Sequence, residues 1–349
     1  MNPVIDHSVK RGAHRTTARY FAVAIAALAL LVLISFSVGK YPVSVSGLLR
    51  LLWFKASGIP SDLPDTIETV VFKVRGPRVL ASMVVGGALA VSGAVYQGLF
   101  RNPLVSPDIL GVSSGAALGA VLGIYFSLGV VGIQILAFVA GLGAVAAVYL
   151  IGTLLRHHDP ILTLVLAGVV IGTLLSSVVG LIKYLADPYN QLPAITFWLL
   201  GSLTGVTAAD LWAILPAIAA GLVPLYLLRW RINVMTLGDE EAQALGVDTQ
   251  RIRLVVVAAA TLMTAAAVSV SGIIGWIGLL IPHFARLLVG PNFGRLLPAV
   301  LLLGAGYLLG VDTLARTIST IEVPLGVLTA FIGTPFFIWV LSVSHKAWR

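Results

Sequence analysis

From Ile109 to Leu155 the chain carries no Asp, Glu, Lys or Arg, a run of 47 residues counting both ends. One helix needs only about 20 apolar residues to cross the interior of a membrane. The run therefore holds two crossings, with a turn near Ser127-Leu128-Gly129. Its apolar residues are continuous rather than alternating, which argues against the strands of a β-barrel. The rest of the chain agrees: 58% of residues are hydrophobic and only 10% charged, with a mean hydropathy of +1.02. A soluble domain carries roughly 25% charged residues. This chain cannot cover a globular surface with polar groups, so lipid is its solvent. The expected fold is all-α, a polytopic membrane protein. Cysteine is absent, which removes disulfides, thiolate metal sites and cysteine nucleophiles.

Further spans are expected over Tyr20–Gly39, Val79–Phe100, Ile161–Ile182, Leu211–Leu228, Leu254–Ser271, Leu296–Val311 and Val323–Val343. A shorter one, Ile273–Ala285, is broken by Gly275, Gly278 and Pro282, and Ala194–Leu203 suits an interfacial or outer-face helix. The basic start before Tyr20 is also compatible with a cleaved signal peptide. The many spans that follow favour a retained first crossing. That makes ten transmembrane helices, with 1–349 read as one transmembrane domain. Both termini lie on one side, and 1–19 forms an N-terminal tail. Lys40–Arg78 reads as the longest segment outside the spans.

Lys and Arg set the orientation. On the terminal side lie Lys10, Arg11, Arg15, Arg19, Arg101, Arg156, Arg229, Arg231, Arg251, Arg253, Arg286, Arg295, Lys346 and Arg349. Opposite lie Lys40, Arg50, Lys55, Lys73, Arg75, Arg78, Lys183 and Arg316. The larger group marks the cytoplasm, so N- and C-termini are cytoplasmic. The net charge of +8 is thus a topology signal and no sign of nucleic-acid binding. A faint internal echo, Val91-Ser92-Gly93 before Pro103 and Val270-Ser271-Gly272 before Pro282, would relate two halves as an inverted repeat, a common device in transporters.

The longest charged stretch between two long apolar ones is Arg229–Arg253, on the cytoplasmic side. Its middle reads as a short helix: Asp239 as the cap, Glu240 and Glu241 in the first turn, and Gly246 as a left-handed stop after Leu245. It is either a handle for a soluble partner or an ordinary solvated loop. Elsewhere Gly111, Gly115, Gly119 and Gly123 recur every four residues. That lays a groove along one helix face where another backbone can approach.

Chemistry is sparse. No carboxylate pair is expected mid-span to relay protons or hold sodium, which argues against a secondary carrier. No nucleophile, base and orienter fall on neighbouring spans, so the catalytic list is empty. His157-His158-Asp159 reads as a solvated turn and His283 as a local hydrogen-bonding residue, so no metal site is expected. No phosphate loop of the G-x-x-x-x-G-K-[ST] type occurs; if ATP drives the chain, another subunit binds it.

Several stretches together carry a resemblance. They are Arg75-Gly76-Pro77-Arg78; GGALAVSGAVYQGLFRNPLVSPDILGVSSGAALGA from Gly86; LAGVVIG from Leu166; FWLLGSL from Phe197; LGDEEAQALGV from Leu237; SGIIGWIGLLIPHFARLLVG from Ser271; Asp312-Thr313-Leu314-Ala315-Arg316; and EVPLGVLTAFIGTPFFIWVL from Glu322. Over about Val74–Val340 the chain resembles the permease subunits of FecCD-type, or type II, ATP-binding-cassette importers for iron chelates, haem and vitamin B12. Gly76 stands where the family often has Leu.

The resemblance implies a homodimer with the path on its two-fold axis, two cytoplasmic ATPase subunits that bind ATP and Mg, and a periplasmic binding protein. It implies a bacterial inner-membrane location and no cofactor in this chain. It implies ATPase docking through Gly238, Asp239, Glu240, Glu241, Ala242, Gln243, Ala244, Leu245 and Gly246, within a coupling loop 229–253. It matches Arg75 and Arg316 to outer-face arginines that meet acidic residues of the binding protein. The expected function is a non-enzymatic permease for haem or a ferric siderophore. The alternatives are a vitamin B12 permease and a stand-alone carrier or channel.

Overall fold

A computed structural model describes residues 7–58, 63–154 and 160–344, with side chains over 18–58, 63–154 and 161–339. Among these residues every regular element is helical. In chain order they are α1 His7–Ser37, α2 Val45–Ser57, α3 Asp65–Glu68, a π-helical stretch Thr69–Arg75, and α4 Gly76–Leu99. A 3₁₀ turn Pro107–Leu110 leads to α5 Val112–Tyr125, then α6 Val130–Leu154 and α7 Pro160–Leu185. Next come α8 Gln191–Leu200, α9 Ala208–Leu227, α10 Arg229–Met235, α11 Asp239–Ala244 and α12 Thr249–Ser271. α13 Ile277–Val289, α14 Phe293–Ala315 and α15 Leu325–Ser344 complete the described chain.

Seven of these helical stretches are long and apolar enough to cross a membrane, and α5, α8, α13 and the described part of α15 are shorter apolar helices. α5 has 14 residues, about 21 Å at 1.5 Å per residue, short of a hydrocarbon core of about 30 Å. The expected pair of crossings in the charge-free run is α5 and α6, turned at Phe126–Gly129 with Ser127 at φ +54°.

Burial sorts the helices into a centre and a rim. α4 runs on from α3 and the π-helical stretch as one 35-residue rod, of which 83% of the most apolar window is buried; the figures are 72% for α12 but 6% for α1 and 17% for α7. α4 packs against α12, α13 and α14. A Cβ on Gly86 or on Gly304 would meet the other's backbone carbonyl, so α4 and α14 touch backbone to backbone, as small residues allow within lipid. Between α4 and α12, Tyr96 shares a hydrogen bond with Thr261 (2.9 Å) and Ser92 donates to the Ala260 carbonyl (3.1 Å).

Lys40–Arg78, expected as the longest segment outside the spans, is largely helical among its described residues, and from Asp65 it runs on into the candidate span that ends at Leu99. Ser44 caps α2 by accepting from the Gly47 amide, and Gly58 ends it at φ +70°. Leu48 and Leu51 pack with Val43 and Val71 in a separate small core. α13 starts at Ile277, later than expected, and continues through Pro282. The echo of Gly93 and Gly272 falls in unlike settings: Gly93 lies inside α4, whereas Gly272 follows the end of α12 at φ +66°.

Candidate functional site

Two groups of polar side chains stand out at opposite ends of the bundle. The first is built where α1, α4 and α14 end. Arg78, one turn into α4, has its Nε 2.9 and 3.2 Å from the two oxygens of Asp312. Its Nη1 and Nη2 lie 3.1 and 2.9 Å from the two oxygens of Glu322. One guanidinium thus sits between two carboxylates, the fork geometry that Arg offers and Lys does not. Asp312 is 0% exposed. Glu322, on the α14–α15 connection, also accepts from the Thr204 hydroxyl at 2.6 Å. Burial pushes the Glu322 carboxyl up, but the bonds from Arg78 and Thr204 outweigh it and hold it below its ordinary 4.5.

Beside this clamp, Arg75 and Arg316 close the end of α1. A helix leaves its last four carbonyls without intrahelical partners. Here Arg316 Nη2 donates to the Ser35 carbonyl (2.7 Å), Arg75 donates to the Phe36 carbonyl, and the Val43 amide takes the Ser37 carbonyl (3.1 Å). Arg75 Nη2 reaches on to the Tyr41 carbonyl at 2.5 Å. Two guanidiniums at the negative end of the α1 dipole are favourably placed. Gly39, at φ +148°, passes so close that a Cβ there would lie 2.7 Å from Arg75 Nη2. Arg316 Nε also makes an ion contact to Asp312 at 3.4 Å, without hydrogen-bond geometry.

The expectation for Arg75 and Arg316 as docking points meets two side chains turned inward in the single chain. They are 5% and 7% exposed, and their donors are engaged by carbonyls of α1 and the residues just after it. Arg75 and Arg316 spend Nη donors on these carbonyls, while Arg316 Nε keeps only the ion contact to Asp312. Arg78, at the other end of the same four-residue stretch, was not singled out from the sequence. Its partners lie 234 and 244 residues away, and no local pattern signals that.

The second group is α10–α11 and the start of α12. Gly238 precedes α11 at φ +142° and its side of the turn makes no side-chain cap. Asp239 is therefore not the cap expected of it; its Oδ2 pairs with Arg253 Nη2 at 2.6 Å. Arg253, only 5% exposed, ties the start of α11 to α12, and Ala242 is 0% exposed beneath the helix. Gly246 takes φ +78° after Leu245, the left-handed stop expected there. Glu240, Glu241, Gln243, Ala244, Leu245 and Gly246 face outward, with Leu245 57% exposed. A short helix is seated on the bundle through Ala242 and the Asp239–Arg253 pair, with its apolar tip and acidic flank exposed.

Of the glycine series, Gly115, Gly119 and Gly123 lie on the α5 face that meets α6. A Cβ on Gly115 would stand 2.5 Å from the Ala140 carbonyl, one on Gly119 would strike the Leu136 carbonyl, and one on Gly123 would stand 3.0 Å from Ile133. Gly111 does not belong to that face. It precedes α5 at φ +78° and faces Gly168 and Gly172 of α7. Among the described residues no cluster of three or more His, Cys, Asp or Glu could hold a metal ion. His157, His158 and Asp159 lie outside the described residues.

Backbone bonds join α8, α12 and α15: the Ser202 amide to the Ser271 carbonyl (2.8 Å) and the Leu325 amide to the Gly201 carbonyl (3.0 Å). They frame a recess of about 660 Å³ lined by Leu199, Leu200, Ile273, Trp276, Val327 and Phe331. Trp276 stands at φ +71° and stacks edge-on to Phe337.

Seven helices long and apolar enough to cross a membrane, with glycine-packed central helices and buried polar ties, define a multi-pass membrane protein. The model of the FecCD transport family matches residues 27–343, and the chain belongs to that family. It is 40% identical to the molybdate import system permease protein MolB of Haemophilus influenzae, over 89% of this chain and 91% of that one. It is 40% identical to the hemin transport system permease protein HmuU of Yersinia pestis, over 84% and 87%. A solved chain in an inward-facing conformation, from a transporter assigned to the metal-chelate ABC type, superposes with a TM-score of 0.84 at 36% identity, covering 93% of this chain and 99% of that one. The chain is accordingly a permease subunit of an ABC transporter.

Proposed function

We propose that this chain, paired with a second copy, forms the path by which an ATP-driven importer of the bacterial inner membrane takes up haem or a ferric siderophore. A periplasmic binding protein delivers the substrate, and two ATPase subunits carrying ATP and Mg dock on Gly238–Gly246. The chain itself catalyses nothing. Ten crossings put both termini and loop 229–253 in the cytoplasm. The observation that carries the reading is α11: an exposed, acid-flanked helix braced by the Asp239–Arg253 pair, suited to pass a push from a soluble partner to α12. The recess framed by α8, α12 and α15 is our candidate for one wall of the path. Relatives whose names carry hemin, iron chelatin and cobalamin support a bulky chelate, and the vitamin B12 reading is the alternative.

A stand-alone carrier is disfavoured by the carboxylates. Asp312, the fully buried one, is already neutralised by Arg78, so it is not free to follow an ion gradient. Vesicles holding the chain with its ATPase, and ATP inside, should accumulate haem or a ferric siderophore when the binding protein is present and no ion gradient exists. Uptake driven by a proton or sodium gradient without the ATPase would overturn the reading.

A further inference from the structure

Pro282 lies inside α13. Proline has no amide hydrogen, so the carbonyl four residues earlier loses its regular helical donor. That carbonyl belongs to Gly278, in the first turn of α13. A donor reaches it from another helix. Gln97 of α4, 3% exposed, places its Nε2 3.2 Å from the Gly278 carbonyl and 3.3 Å from that of Leu279. Its Oε1 accepts from Arg286 Nη2, further along α13. The neighbours settle which way the amide points, because a guanidinium can only donate and a carbonyl can only accept. One side chain of α4 thus bridges the proline of α13. The backbones also meet here: a Cβ on Gly93, one turn before Gln97, would strike the Gly278 carbonyl.

The turn that Gln97 holds carries a strained residue. Trp276, just before α13, stands at φ +71°, where a bulky side chain is an outlier. Such strain persists only where the surroundings over-determine it. The Trp276 carbonyl accepts from the Leu279 and Leu280 amides at 3.1 and 2.8 Å. Its indole backs onto Gly333 of α15, where a Cβ would lie 2.8 Å from the ring, and it lines the recess between α8 and α15. Freeing the Gly278 and Leu279 carbonyls would loosen the turn on which Trp276 depends. We infer that Gln97 is a positioning residue of the recess: it supplies the donor that Pro282 lacks, Arg286 aims it, and Trp276 is thereby held on the wall. Its part in transport rests on the recess being a wall of the path; the hold on Trp276 does not.

The chain has no cysteine, so Thr334→Cys, at an exposed position on the recess, takes a single nitroxide label. The full-length chain in detergent is followed by Tm and by the label's spectrum. Gln97→Glu keeps the shape and an acceptor for Arg286 but loses the donor. It should lower Tm by about 2–6 °C, the range for one buried carbonyl left without a donor in a chain this long, and add a mobile component to the spectrum. Pro282→Ala returns an amide to α13, so the Tm drop caused by Gln97→Met should be smaller in that background. A Gln97→Glu variant that matches the wild type in Tm and spectrum, or equal drops for Gln97→Met in both backgrounds, would overturn the donor role; should Pro282→Ala fail to fold, the Gln97→Glu arm decides alone. A lower Tm with an unchanged spectrum would overturn the hold on Trp276. In the vesicle assay above, Gln97→Glu should cut uptake roughly fivefold, the factor that one net hydrogen bond carries, while ATP hydrolysis continues. Unaltered uptake beside a changed spectrum would overturn the part in transport. The Tm and label arms need no substrate, so they decide the hold even where the importer reading fails.

Discussion

Arg78→Met is the most discriminating perturbation of the fold. The substitution keeps an unbranched side chain of similar reach but removes the charge between Asp312 and Glu322. Asp312, 0% exposed, is left with only the 3.4 Å ion contact to Arg316. Removing one partner of a buried pair typically costs about 3–5 kcal/mol, because the other charge stays buried and uncompensated. Glu322→Gln is the milder change. Its side chain is 25% exposed, so water replaces part of what Arg78 supplied, and a loss of about 1–2 kcal/mol is expected, below the usual worth of a fully buried charged bond. The double variant Arg78→Met/Asp312→Leu removes both charges of the deep pair and should recover much of the loss, since apolar replacement of a buried pair is often neutral. The assay is thermal unfolding in detergent read by size-exclusion fluorescence at one heating rate, because such unfolding is a rate measurement. At roughly 2 °C per kcal/mol for a chain this long, Arg78→Met should fall by about 6–10 °C. If it falls no further than Glu322→Gln, or if the double variant is worse than Arg78→Met, the buried Arg78–Asp312 pair is not what holds this end together.

Gly119→Leu should lower stability by at least about 1–3 kcal/mol through overpacking against α6, while Gly143→Ala, which meets nothing within 4 Å, should be neutral or gain up to about 1 kcal/mol of helix propensity; equal melting temperatures would put the α5 face elsewhere. Leu245→Asp or Glu241→Lys should uncouple ATP hydrolysis from uptake with the permease still folded, and wild-type transport with normal co-purification of the ATPase would remove α11 from the docking surface. Arg75→Gln should lower Tm through loss of the α1 cap yet leave the association rate of the binding protein and its salt dependence unaltered, by surface-immobilised kinetics; a slower, less salt-sensitive association would restore Arg75 as a docking residue. For pH, the folded Glu322 carboxyl lies below its ordinary 4.5, so its contribution is complete above that value and is lost as pH falls through the folded pKa. The Tm gap between the wild type and Glu322→Gln should therefore close on acidification below about 4.5, and a constant gap would refute the assignment.

The parts legible in the sequence share one physical origin. A charge-free run tells its own length, so two helices and the α5–α6 turn follow from counting, while the shortness of α5 does not. Gly246 and the four-residue glycine spacing follow from local geometry, since a left-handed stop and a helix face are set by neighbours in the chain. What was not legible depends on distance through the fold. Asp239 looks like a cap from its neighbours alone, but Arg253, fourteen residues on, competes for the same carboxylate and wins with a charge-assisted bond at 2.6 Å. Gly111 shares the spacing of Gly115 and Gly119, yet the 3₁₀ turn before α5 rotates it out of register and toward α7.

Arg75 and Arg316 show the same limit at the level of function. Topology placed both at the outer end of the bundle, and a charged residue at a membrane boundary reads as exposed until something buries it. Here the burying element is α1, whose carbonyl end lies over the tips of α4 and α14 and needs donors. With those donors engaged, this end of the bundle gains a junction of three helices. Arg78 binds that junction to Glu322, and Glu322 binds it to Thr204 beside α8.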